Sequence, residues 1–298
     1  MKTKTVLCVG AAVLAPLAAA ADDFYQFWGD GRAEVSSYKV VQPRYGEARS
    51  GYGVMIFVTE DVNRETLIKV ESPTPKEERI YTLKLNSILK FTTGIYDYSV
   101  MSSVFSAVEP RTQTQPFELL KQNLSSQEWC GHVFEEVRVT DGRLLGELNS
   151  YFESEGRTQW SLDRPKDFVS EDHLLIRIRE LQGTFLAEGE SRQLTMLPSL
   201  WEFRMAHSPR ALQQATLAKG APEQITVAGA QRMAIAWTWT YGTQGKTVWV
   251  GTDYPHHILR WQDTAGGSGE LLVSKRLPYW GLHDIDDEPL REELGIPR

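Results

Sequence analysis

From residue 34 onward the chain keeps returning to one pattern, with apolar and polar side chains taking turns. Between 80 and 91, Tyr81, Leu83, Leu85, Leu89 and Phe91 alternate with Thr82, Lys84, Asn86 and Lys90. Between 231 and 242, Met233, Ile235, Trp237, Trp239 and Tyr241 alternate with Arg232, Ala234, Ala236, Thr238 and Thr240. Similar runs cover 34–42, 53–60, 96–108, 126–139, 144–155, 246–252, 256–263 and 270–276. A period of two places every second side chain on one face, so each run predicts a strand with one buried side. Turn-forming residues separate several of them: Asp141-Gly142, Gly242 to Gly245, and Gly266-Gly267-Ser268-Gly269. Strands joined this tightly pair antiparallel, because a parallel pair needs a crossover of a dozen or more residues. The pattern therefore predicts a mainly β fold: a large antiparallel meander sheet, curved or partly closed into a barrel around its aromatic side. It does not predict β-α-β units.

Helical periodicity is confined to a few places. Residues 170–182 put Leu174, Leu175, Ile178 and Leu181 on one stripe, with Ser170 placed to cap the start. Residues 210–219 read as a second short helix. The C-terminal run DEPLREELGIP is punctuated as a helix, with Pro289 inside its start, Gly295 past its end and Pro297 beyond. The stretch 163–222 is the least strand-like part of the chain and reads as a helical insertion or lid on one β-rich domain spanning 22–298. An outer-membrane barrel would carry an apolar side to lipid on every strand and commonly finish on a membrane strand. This chain finishes on a charged helix and breaks its strands with helical segments, which favours a sheet wrapped around its own core.

The N-terminus departs from all of this. Lys2 and Lys4 precede an apolar run from Val6 to Ala15, and Ala19-Ala20-Ala21 stands before Asp22-Asp23. That is the layout of an export signal over 1–21, too short for a membrane-spanning helix. Cys8 lies near the start of the apolar run, where a lipid-anchoring cysteine would not be. Removing 1–21 takes away two lysines and moves the net charge from −7 to −9. Acidity of this size disfavours nucleic acid and anionic membrane surfaces as partners. It also leaves Cys130 as the sole cysteine, so no disulfide forms within the chain and the core must hold without one. The expected location is periplasmic or secreted.

Cys130 lies in the one stretch that gathers reactive side chains. With Asp141-Gly142 as a two-residue type I′ turn, Val139 faces Leu144, Val137 faces Gly146, Glu135 faces Leu148, Val133 faces Ser150 and Gly131 faces Phe152. One face then carries Trp129, Val133, Val137, Val139, Leu144, Leu148 and Phe152, and the two strands agree on which side is apolar. The opposite face carries Glu128, Cys130, His132, Phe134, Tyr151, Glu153 and Glu155. There Cys130 lies across from Glu153, His132 across from Tyr151, and Glu128 across from Glu155, with Cβ atoms of facing residues about 5 Å apart. Cysteine, histidine and carboxylate could serve as nucleophile, base and orienting acid, or as zinc ligands. Against that, neighbouring carboxylates raise a thiol's pKa and no helix N-terminus or cation is at hand to lower it. A structural or solvated face is the more economical reading.

Other clusters carry less. His256 and His257 are adjacent, so on a strand they point to opposite faces and would not share a metal. His283-Asp284-Ile285-Asp286-Asp287 lacks the spaced ligands and glycine of a calcium loop and reads as a helix cap. The phosphate-cradling G-x-x-x-x-G-K, the G-x-S-x-G elbow and the H-E-x-x-H zinc motif are all missing from the sequence. No catalytic, cofactor or metal residue is assigned. The expected function is non-enzymatic, with the sheet's aromatic side holding an apolar ligand or an envelope protein. The alternative is a hydrolase or metalloprotein built on Cys130, His132 and Glu153 of the 126–155 hairpin.

The stretches RYGEARSGYGVMIFVTED, FTTGIYDYSVMSSVF, SSQEWCGHVF, SYFESEG and MLPSLWEF together resemble a family of exported bacterial proteins of uncharacterised activity that carries the label septum formation inhibitor Maf. The resemblance spans roughly 28–280 and implies no catalytic residues. True Maf proteins are cytoplasmic α/β nucleotide pyrophosphatases with a Ser-x-x-Arg-Arg run after the first strand. The nearest match here, Ser208-Pro209-Arg210-Ala211-Leu212, lacks the second arginine and lies two-thirds along a β-rich chain. The label therefore implies no nucleotide hydrolysis.

Overall fold

The computed structural model describes residues 23–111 and 115–297; the expected export signal lies outside them. Fifteen strands form one sheet. In chain order they are β1 (Ala33–Arg44), β2 (Glu47–Asn63), β3 (Arg79–Thr93), β4 (Tyr96–Ala107), β5 (Glu118–Glu128), β6 (Gly131–Val139), β7 (Arg143–Ser150), β8 (Arg157–Asp163), β9 (Phe168–Ser170), β10 (Ser191–Leu197), β11 (Gln213–Val227), β12 (Ala230–Tyr241), β13 (Gln244–Gly251), β14 (Ile258–Asp263) and β15 (Ser268–Leu277). Helix α1 (Glu171–Arg177) follows β9, α2 (Leu200–Ala206) follows β10, and α3 (Pro289–Glu293) closes the chain. A helical segment over 23–28 precedes β1.

The strand order is β8-β7-β6-β5-β4-β3-β2-β1-β15-β14-β13-β12-β11-β10-β9. Two meanders thus run outward from a central β1–β15 pair. Their outer edges, β8 and β9, are consecutive in the chain and joined only by 164–167. At about 4.8 Å per strand a flat sheet of this width would measure some 65 Å across. Five residue steps reach at most about 18 Å. The short connection therefore requires the sheet to curl until its edges nearly meet. The curl leaves an open seam between β8 and β9, as a curved, partly closed barrel demands. The expected antiparallel meander is present with one exception. Strands β9 and β10 are parallel and joined through α1, a β-α-β unit that the periodicity did not predict.

The concave side is the core. Tyr38, Phe57, Leu83, Leu85, Trp237 and Trp239 all point inward and are buried. They meet Phe24 and Trp28 from the 23–28 segment and Leu174, Ile176, Ile178 and Leu181 from α1 and the turn after it. The stripe read from 170–182 is thus the face that docks into the sheet. Ser170 stands at its N-cap, but its hydroxyl donates to Gln122 and makes no cap bond. Arg179, just past α1, is fully buried. Its guanidinium forms two bonds to Glu34 (3.1 and 2.7 Å), donates to the Pro255 carbonyl (2.7 Å) and stacks on Phe57. On the convex side, Leu294 and Ile296 beyond α3 pack on Val35, Val54 and Val58. The C-terminal helix starts and stops where its proline and glycine predicted, with Gly295 at φ +64°. Asp284 and Asp287 cap the turn before it reciprocally, so this acidic run is a cap.

Other expectations need correction. Residues 210–219 are not a helix: β11 starts at Gln213, and Ala215, Leu217 and Lys219 are buried at every second position. The run 126–139 is not one strand, because β5 ends at Glu128, Trp129 and Cys130 turn the chain, and β6 begins at Gly131. Likewise 144–155 stops pairing at Ser150 and turns over 151–156. Between those limits the β6–β7 register is the expected one, with Val133–Ser150, Glu135–Leu148, Val137–Gly146 and Val139–Leu144 facing. The turn type differs: Gly142 has φ +82° while Asp141 keeps a negative φ, whereas type I′ needs both positive. The region 163–222 is no separate insertion, since β9, β10 and the start of β11 belong to the sheet. Its two helices and the segment after α1 that carries Ile178, Leu181 and Leu186 lie across the concave side.

A cavity under the curled sheet as the candidate functional site

The hairpin that sequence reading singled out does not assemble a site. Cys130 is exposed in the β5–β6 turn, its backbone N–H donating to the Glu128 carboxylate (2.6 Å). The hydrogen bond and charge of Glu128 push the thiol's pKa up, the wrong direction for a nucleophile. His132 stacks on Tyr151 (6.4 Å between centroids), and the Tyr151 N–H donates to the His132 carbonyl, so that pairing survives. Glu153 lies in the 151–156 turn beyond the ladder that would have set it opposite Cys130. Glu155 does not face Glu128; it accepts from Ser150 (2.7 Å), Arg204 (3.3 Å) and His207 (3.1 Å). Among the described residues no group of three or more His, Cys, Asp or Glu could hold a metal ion. His256 Nδ1 meets the Gly251 carbonyl and His257 Nδ1 meets Glu34, so these two separate as expected. Arg210, from the Ser208 run, is bound at both ends of the buried Glu135 carboxylate (2.8 and 2.6 Å).

A large space lies elsewhere, under the curled sheet. Along a staggered row on the concave side, offset by one pair between β2 and β3, three inward positions are small: Gly53 on β2, Ser87 on β3 and Ser102 on β4. Ser87 pairs with Ser102 across β3–β4, and Gly53 pairs with Leu89 across β2–β3. Where large side chains would have met at the centre of the curl, these leave a cavity of about 710 Å³. Val40, Met55, Leu85, Val100 and Val104 form one wall; Trp239, Val248 and Trp261 form the other. Trp201, Phe203 and Met205 of α2 and Leu175 of α1 cover it, and residues of the β12–β13 and β14–β15 turns line one end. Ser199 caps α2, accepting from the Trp201 N–H (3.2 Å). The indole Nε1 of Trp201 is shielded from solvent and has no hydrogen-bond partner.

A polar cluster also borders the cavity. Glu171, at the start of α1, is buried and accepts from Lys246 Nζ (2.7 Å), Trp239 Nε1 (3.1 Å), the Tyr241 hydroxyl (2.8 Å) and the Ser199 N–H (3.1 Å). Burial opposes its charge, but Lys246 and these donors outweigh that and hold its pKa low. Glu202 on α2 reaches the same Tyr241 hydroxyl. A hydroxyl has one proton to give. With Tyr241 donating to Glu171, Glu202 must carry its own proton and donate back to the phenol oxygen. Burial, then the charge of Glu171, push Glu202 to about 7, in keeping with that count. Burial pushes Asp172 to about 6, although its carboxylate accepts the Leu200 N–H (3.1 Å). The cluster ties α1, α2, β12 and β13 together at the border of the cavity.

No family model matches the chain, and no curated protein or solved structure matches it. The reading of the cavity therefore rests on its own geometry.

Proposed function

We propose that the protein is a non-enzymatic binding protein of the bacterial envelope that holds an amphiphile inside its curled sheet. The observation that carries this reading is the cavity of about 710 Å³, walled by aliphatic and indole side chains. Its size falls in the range of small-molecule sites, and its lining is of the mostly apolar kind with a few polar groups. The ligand's apolar body would lie along Val40, Met55, Val100 and Val104, and an oxygen acceptor on it would meet the free Nε1–H of Trp201. The polar cluster is internally satisfied and would orient rather than react. A free carboxylate head would meet Glu171, Asp172 and Glu202 with Lys246 already engaged, so an uncharged oxygen head suits the cavity better.

Ser102→Trp tests this reading, because it would fill the cavity from the row of small residues. N-Phenyl-1-naphthylamine, an apolar dye that brightens when desolvated, should bind the wild type saturably. The variant should bind at least tenfold more weakly while keeping the wild-type circular dichroism spectrum. A folded variant that binds the dye as well as the wild type would exclude the cavity as the site.

A further inference from the structure

A second cavity, of about 200 Å³, is bounded by residues of β9, α1, β10 and the start of β5, and its lining is different in kind. Four cationic side chains border it, Arg164, Lys166, Arg177 and Arg192, against two carboxylates, Glu118 and Asp167. Several of these charges are already engaged. Arg164 lies 3.8 Å from Glu118, Arg192 holds Glu190 at 2.8 Å, and Asp167 accepts from the Thr195 hydroxyl at 2.9 Å.

Arg177 is the exception. It projects from α1 into a largely buried position, stacked on Phe185. Its partners are the carbonyls of Pro116 (3.0 Å) and Phe117 (3.4 Å) and the side-chain oxygen of Gln115 (2.6 Å), all of them uncharged. Burial, followed by repulsion from Arg192, lowers its pKa to about 10. A buried guanidinium without a carboxylate is costly unless an anion joins it, and its planar fork suits an oxyanion. One turn earlier on α1, His173 borders the same space and is only 6% exposed. Its ring donates to the Phe117 backbone carbonyl, while its buried Nε2 has no partner. With Nδ1 as the donor, the neutral imidazole presents a lone pair at Nε2. Burial, then Arg177, keep it neutral by lowering its pKa to about 3.

We propose that this pocket binds a small oxyanion of the phosphate type: Arg177 holds it with support from Arg192, and the anion's own hydroxyl donates to Nε2 of His173. The anion supplies the charge that Arg177 lacks, and its proton satisfies the unpaired nitrogen. A fully deprotonated oxyanion would satisfy only the first. Phosphate at neutral pH still carries a proton and sulfate does not, so the pocket should tell them apart. The phosphate could be free or the head of an ester; a monoester, whose second pKa lies at about 6, keeps the required proton only in mildly acidic solution.

Calorimetric titration of the purified protein with inorganic phosphate, sulfate and glycerol 3-phosphate tests the assignment. The expected result is saturable binding of one phosphate per chain, with sulfate at least tenfold weaker. Glycerol 3-phosphate binding at about pH 5.5, where it carries a proton, as well as phosphate does would support an esterified ligand, and its exclusion there would support the free ion. Arg177→Gln should weaken phosphate binding at least tenfold. Because Arg177 also anchors 115–117, Arg192→Gln at an exposed position serves as the second variant, with a loss of about threefold or more. Absence of saturable phosphate binding, or equal affinity for phosphate and sulfate, overturns the proposal.

Discussion

The most consequential single residue for the fold is Arg179. All three nitrogens of its guanidinium donate, to Glu34 or to the carbonyls of Pro255 and His256, in a position without solvent. Burial alone would raise the pKa of Glu34, yet Arg179 and His257 bring it down to about 2. Removing Arg179 takes away the permanent charge opposite that buried carboxylate and leaves it only Ser36 and His257. Arg179→Ala should therefore cost about 3–5 kcal/mol in urea unfolding. The double variant Arg179→Met, Glu34→Gln should lose less than the sum of the single changes, because it leaves no lone charge. Neither residue announced itself in the sequence: Arg179 sits where a helix ends, a common place for a cation, and Glu34 opens a strand. Glu135 was hidden for a related reason. It occupies an inward position between Val133 and Val137, and only Arg210 and Trp160, far away in the chain, make that tolerable. Cys130 and His132 drew notice because cysteine and histidine are chemically versatile, but side-chain chemistry says nothing about whether a strand continues through Trp129.

At the scale of elements, strands were legible wherever their alternation lasted, as in β3 and β12. The β6–β7 register was legible because two faces had to agree. Helix α2 was not, since seven residues give barely two turns and no period to detect. The start of β11 misled for the opposite reason: Ala211, Leu212, Ala215, Leu217 and Ala218 are good helix formers, and tertiary pairing with β10 and β12 overrides that preference. The polar cluster could not be read ahead of the structure, because Glu171, Glu202, Tyr241 and Lys246 come from four elements. The row of small residues could have been: Gly53, Ser87 and Ser102 each interrupt the apolar side of a strand. The helices α1 and α2 are joined through Tyr241 by a proton on Glu202, which gives that joint a pH dependence. A carboxyl whose pKa is raised on folding binds its proton more tightly in the native state. Its contribution is full below the unfolded value near 4.5 and is lost as the pH climbs through about 7. Glu202→Gln keeps a neutral donor at every pH. Relative to wild type, the variant should gain on the order of 2–3 kcal/mol between pH 4.5 and pH 8. Urea midpoints at the two pH values measure it, and a difference that does not change with pH would contradict the shared-proton arrangement.

For the whole molecule, the informative feature is the order in which the strands lie. Cavity, helices and seam all follow from two meanders that start side by side and are tied again at their far edges by 164–167. Ala33 faces Leu277 across the central pair, so the beginning and end of the sheet are already neighbours. The polypeptide is in effect a ring cut at an arbitrary point. Opening it at 164–167 and joining the native ends by a flexible linker from 278 to 32 gives a circular permutant. Without 23–28 and the C-terminal helix it would lose their packing, so the linker should carry both segments. The permuted chain would then run from β9 through β15 to β1 and on to β8 as one serial succession of neighbours. It should fold to the same sheet, by circular dichroism and by retention of the buried-tryptophan emission. What it loses is the tether that keeps the two edges within reach. The seam would then be free to breathe, and an apolar dye should enter and leave the permutant faster than the parent, with the covalent closure acting in the natural chain as a brake on exchange.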